Sequence, residues 1–387
     1  MTLAVKRFTS LMAGHPVLSG TVGTLKSLLQ ACLVDGFNPL TLTGLTQTGG
    51  VATATYGSAH GYAINDVLLI GGATPAGYNG EVRVLSVTAT TLTFAVDAGL
   101  TSPATGTITS QIAPLNWTMP YSGANKAAFR PASPYGQCLL RVQDDSSTPT
   151  SASGRWGKWR GYETMTDVDT GTGLFPTVAQ AANGLSVFKS STSDSVERHW
   201  WLVGDPGLFY FGTFWHASYL TYAGAVAFGD CNSLRSGDAY SSLIIAEPID
   251  SLSAAPWSNN AFSTLVGFNT TQTGHYLARS YSQTGSAVAA GKIGDNGVSL
   301  TMGYGGLAYP HPPDNGLLFA LVGLTESNAI RSRALPGLYQ PLHTAPLAYL
   351  DTLTGLADLP GRTLQAFDLV TSSARGQCLI DITGPWR

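Results

Sequence analysis

Charge is what this chain has least of. Lys, Arg, Asp and Glu make up 11% of its 387 residues, against about 25% in an ordinary soluble protein. The net charge is −3, the pI is about 6.1 and no basic run occurs. A nucleic-acid partner would therefore find no electrostatic footprint. Long apolar runs are missing as well. Each is broken by Gly, Pro or a polar residue well short of the roughly 18–20 residues that cross a bilayer, so no membrane partner is expected. Lys6 and Arg7 have no uninterrupted apolar segment behind them, which argues against a secretory leader. Cysteine is scarce. Cys32, Cys138, Cys231 and Cys378 are far apart and form no CxxC pair, so no zinc pattern exists. They read as free thiols, mostly buried, in a protein made in the cytoplasm.

Catalytic signatures are lacking too. The seven histidines form neither H-x-x-x-H nor H-E-x-x-H, the spacings that bring two imidazoles to one helical face. There is no nucleophile elbow and no P-loop. Gly71-Gly72 and the glycines at 303–306 lack a following helix and lysine, and read as turns. The expectation is a chain with no catalytic residue, no cofactor and no enzymatic activity.

What stands in place of charge is Gly, Ser and Thr, beside a normal 44% of hydrophobic residues. Two origins fit such a surface: cover by other subunits, or a monomer with a neutral polar exterior. The length points to two or three domains. Residues 24–34 place Leu25, Leu28, Leu29 and Leu33 at helical spacing, with Thr21 or Thr24 as cap and Gly36 as stop. Residues 43–113 hold short Thr- and Val-rich runs, at 51–56, 67–70, 81–87, 91–96 and 106–110, with turns at Gly71-Gly72 and Asn79-Gly80. They read as a small all-β module. The alternation in 81–87 breaks at Leu85. From residue 114 the pattern stays β-like, with no alternation of strand and helix. The predicted fold is mainly β. Residues 1–42 carry a short N-terminal helix that packs on the body, 43–113 are an inserted module, and 114–387 form a β-sandwich-like body with a subdomain boundary near 190.

Two constellations could carry binding. Asp167, Asp169 and Gly171 give D-x-D-x-G, a calcium candidate without the late bidentate carboxylate such a loop uses. The alternative is an ordered loop whose side chains satisfy backbone amides. An aromatic cluster holds Trp200, Trp201, Tyr210 and Trp215, with Asp205-Pro-Gly207 as the turn of a hairpin. Rings facing outward would contact a partner subunit or a glycan, and rings facing inward would be core.

The chain resembles structural proteins encoded in the morphogenesis clusters of tailed phages and prophages. The resemblance rests on Pro16-Val-Leu-Ser-Gly20, Leu28-Leu-Gln-Ala-Cys-Leu-Val-Asp-Gly-Phe37 and Tyr121-Ser-Gly-Ala-Asn-Lys-Ala127. It continues through Arg160-Gly-Tyr-Glu-Thr-Met-Thr-Asp-Val-Asp-Thr-Gly171, Phe228-Gly-Asp230, Leu335-Pro-Gly-Leu-Tyr-Gln-Pro-Leu-His343 and Leu359-Pro-Gly-Arg362. It implies a virion subunit of the tail, baseplate, neck or collar, in a symmetric ring or a peripheral layer. Its partners would be copies of itself and other virion proteins. It brings no catalytic residues. The rival readings are a capsid-decorating or fibre-like subunit, and a receptor-recognition module that grips a host surface glycan.

Overall fold

The computed structural model describes residues 5–132, 136–145, 154–218, 223–248, 274–292, 308–326, 330–343, 346–370 and 375–387. The chain is mainly β; the described residues hold one short helix near the N-terminus and antiparallel strands gathered into three sheets. The glycines at 303–306 lie outside the described residues.

The helix Thr24–Gln30 widens into a π-turn over Ala31–Asp35. Its N-cap is Gly23 with no side-chain cap, so neither Thr21 nor Thr24 takes the expected role. The cap comes from far away instead: Asp144 accepts the Leu25 N–H at 2.8 Å. Gly36 ends the element at φ +79°, where a Cβ would stand 2.4 Å from the Ile112 carbonyl oxygen. Only glycine allows this approach. Leu25, Leu28, Leu29 and Leu33 are fully buried.

Residues 37–112 form their own seven-stranded sheet. Its first strand, Phe37–Thr48, begins ahead of the expected boundary at 43 because its first half pairs with Thr109–Ile112. Gly80–Arg83 and Ser86–Val87 stand at opposite ends of the strand order yet are neighbours in the chain. Between them Val84 turns inward and the Leu85 N–H bonds to the Thr93 carbonyl at 2.8 Å. The break of alternation at Leu85 is thus where one run changes partner and the sheet closes into a small barrel.

The largest sheet has thirteen strands. Ala223–Asp230 pairs with Leu208–Phe214 on one edge, and with both Ser242–Ile245 and, at Ala223, Leu364–Val370 on the other. That last bridge returns the strand path to its start as a ring. Trp200–Gly204, Leu208–Phe214 and Ala223–Asp230 are buried along their whole length. One of their faces lies in a core with the helix and the module, through Trp200, Leu202, Phe209, Phe211 and Phe228. The other packs on the ring, through Trp201, Val203, Tyr210, Phe214 and Ala227. A second sheet of seven strands, built around Trp156–Met165, adds Trp159, Phe175 and Leu185 to the first core.

Candidate functional site

The aromatic hairpin forms as the sequence predicts. Trp200–Gly204 pairs with Leu208–Phe214 across the Asp205–Gly207 turn, where the Asp205 carboxylate accepts the N–H groups of Gly207 and Leu208 at 2.8 and 2.7 Å. Its rings are not a ligand platform, however. Trp200, Trp201 and Tyr210 are 0% exposed and Trp215 is 3% exposed. Successive side chains of a strand point to opposite faces, and both faces here are covered by core. Trp201 lies over Gly212, where a Cβ would come within 2.1 Å of the indole. Tyr210 donates to the Pro336 carbonyl at 2.9 Å, and the Trp215 indole donates to Thr213 at 3.0 Å. The candidate glycan contacts are therefore core residues.

The D-x-D-x-G loop is ordered by its own side chains. Asp167 accepts the N–H groups of Asp169 and Thr170 at 2.7 and 2.9 Å. Asp169 pairs with Arg141 at 2.5 Å and with Lys126 at 3.0 Å. Hydrogen bonds hold both carboxyls below the usual range: backbone donors act first on Asp167, Arg141 first on Asp169. A carboxylate shared by two cations is a poor calcium ligand. Among the described residues no three His, Cys, Asp or Glu side chains converge as a metal site would require.

One open cleft of about 490 Å³ lies between Gly171–Phe175 of the second sheet and the segment leading into Val288–Lys292 of the largest. Its wall carries Glu163, Thr172, Thr177, Val178, Arg279 and Ser286. The Glu163 carboxylate takes both arms of Arg279, at 2.6 and 2.7 Å, and the guanidinium rests 3.9 Å above the Tyr240 ring. Glycoside hydrolysis uses two facing carboxylates. Glu163 is the one acid among the lining residues, and its oxygens are engaged.

Several other charged side chains are turned inward. Lys189 and Asp144, both 0% exposed, pair at 2.5 Å. Arg333 is buried between Asp238 and Glu326, at 2.8 and 2.6 Å. Arg387 reaches back to Asp205 at 2.9 Å. A fourth group joins the small barrel to the rest. Lys6 pairs with Glu81 at 2.6 Å and Arg7 with Asp66 at 2.8 Å. Arg83 donates to the carbonyls of Val5, Ile382 and Thr383 at 3.0, 3.1 and 3.3 Å. Burial lowers the Lys6 pKa and raises that of Asp66. The sequence does not reveal this joint, because the partners across it are 59 to 300 positions apart. The signal that could have found them is local: Asp66, Glu81 and Arg83 are three of only four charged residues in 37–112. Comparison with protein-family models and with curated proteins finds no match to this chain.

Proposed function

We propose that this chain is a structural subunit of a tailed-phage virion, part of a ring or peripheral layer of the tail, baseplate, neck or collar. One observation carries the reading beside the sequence resemblance. Part of the small complement of charge is buried in internal ties, in the pairs Lys189–Asp144, Arg333–Glu326 and Lys6–Glu81. A protein that must stay dispersed alone keeps its charge outside. An exterior with few charges over a tied interior suits a building block that neighbours cover. The segments of the resemblance fit the same role. Pro16 to Gly20 accepts the Trp200 indole and bridges to Arg198, while Phe228-Gly-Asp230 holds the Gly136 and Ser242 donors. These residues set geometry and do not converge on a reaction centre, so the chain is read as having no enzymatic activity. The partners are copies of itself and other virion proteins.

Mass spectrometry of purified particles tests this. The chain should be present at a fixed copy number, and deleting its gene should yield particles lacking one discrete tail or neck feature. Absence from particles, or saturable polysaccharide hydrolysis abolished by Glu163→Gln, would overturn the proposal.

A further inference from the structure

Where the small barrel meets the Lys6–Thr9 strand, an amine and a carboxyl group are held in contact out of water. The Lys6 Nζ lies 2.6 Å from the Glu81 Oε1, and the two side chains are 1% and 7% exposed. Their backbones are fixed from both sides. Lys6–Thr9 is in register with Trp200–Gly204, and Gly80–Arg83 with Val67–Gly71. Each reacting group also has a second partner that orients it. Nζ donates to the Pro114 carbonyl, and Oε1 accepts the Asn116 side-chain amide at 2.6 Å.

Such a pair has two ways to rest. As ions, both groups forgo solvation, a cost that their attraction can fail to offset. As an amide, they carry no charge. An amine attacks a carboxyl carbon only in its neutral form. Burial lowers the Lys6 pKa, and the Arg83 cation acts in the same direction, against Glu81. Transfer of one proton along the existing hydrogen bond, from Nζ to Oε1, gives a neutral amine and a neutral acid. Nζ then adds to the Glu81 Cδ. A second proton follows the first to Oε1, the Cδ–Oε1 bond breaks, and Oε1 leaves as water. Asn116 stabilises the departing oxygen through the hydrogen bond that it already makes. It is itself exposed, which gives the water an exit. The one N–H left on the new amide keeps the Pro114 carbonyl as its acceptor. The pair is neutral overall before and after, and nothing but water is released. Free acids and amines in water condense poorly. Reactants held in attack geometry gain effective concentrations on the order of 10⁵–10⁸ M.

We infer that Lys6 and Glu81 condense into an isopeptide bond, which staples the small barrel covalently to the Lys6–Thr9 strand. The intact mass of the full-length protein, purified in its folded state and then denatured, should fall one water below that of its sequence. Trypsin should release a branched species that joins the fragment ending at Arg7 to the one ending at Arg83. Lys6→Arg keeps a cation but cannot form this amide, so it should restore the full mass and remove the branch. The reading on the unaltered protein needs no variant and stands even where Lys6→Arg fails to fold. A full mass after prolonged storage in native buffer would show an ion pair only and overturn the inference. So would a lost water that maps to another pair or to a cyclised aspartate, or a branch that persists in Lys6→Arg. Presence in virions has no bearing on this mass, so either reading can fail alone.

Discussion

Asp144 and Lys189 show what individual residues are asked to do here. Lys189 donates to Asp144 at 2.5 Å and to the Thr21 carbonyl at 2.7 Å, while Asp144 accepts the Leu25 N–H. The pair thus pins the start of the helix to two strands of the second sheet. A buried pair gains little over a well-packed apolar pair, but losing one member strands the other. Lys189→Met should therefore cost about 3–5 kcal/mol in urea unfolding, and adding Asp144→Leu should recover only part of it, since the Leu25 N–H then loses its acceptor. Burial, opposed by Lys189, pushes the Asp144 carboxyl up to about 6 from 3.8. The folded state then holds that proton more tightly than the unfolded one. The contribution of Asp144 is full below the unfolded pKa and is lost as pH rises through about 6. The stability advantage of the original protein over Asp144→Asn should narrow between those two values, and a constant gap would count against this account. The thiols are another buried titratable set. Burial drives Cys138 and Cys231 up to about 12. A thiol reagent should find none of the four in the folded protein and all four after denaturation without reductant. Fewer would reveal a disulfide.

At the scale of elements, legibility follows how many faces of a strand are wet. Val51–Tyr56 was readable to the residue because one face of the small barrel meets solvent and the other its core. Trp200–Gly204 is buried on both faces, so its sequence carries no alternation to say where each ring points. The helix was found from its leucines, but its cap was not, because Asp144 lies 119 residues beyond Leu25. The barrel's joint was hidden for the same reason. Its function depends on Arg83, which is held by carbonyls at both ends of the chain. Arg83→Met would leave those acceptors buried without a donor, at about 1–3 kcal/mol. Hydrogen exchange should quicken in the Lys6–Thr9 strand and around Ile382. It should stay slow in Val51–Tyr56, whose ladder lies inside the barrel. Equal loosening of both would mean that the barrel folds only with the joint intact.

Across the whole molecule, the sheets are finished in ways that limit pairing through their edges. Thr118–Gly123 carries Pro120, and proline withholds a donor from any incoming strand. Gly173 interrupts Gly171–Phe175 at φ +64°. Thr352–Leu353 is two residues long, and the small barrel closes on itself. Edges treated this way resist uncontrolled strand addition, which leaves side-chain faces as the means of association. Those faces carry few charges, because the chain has few and pairs such as Arg333–Asp238 lie inside. The two facts together make a prediction about salt. Contacts built on surface ion pairs weaken as the Debye length falls from about 30 Å at ~0.01 M to about 3 Å at ~1 M salt. Contacts between uncharged faces carry no such term, and apolar burial strengthens slightly in excluded salts. Association of this chain should therefore be unchanged or modestly tighter across that range by sedimentation. Dissociation at high salt would place the interface on exposed charges, such as Asp97 and Glu197.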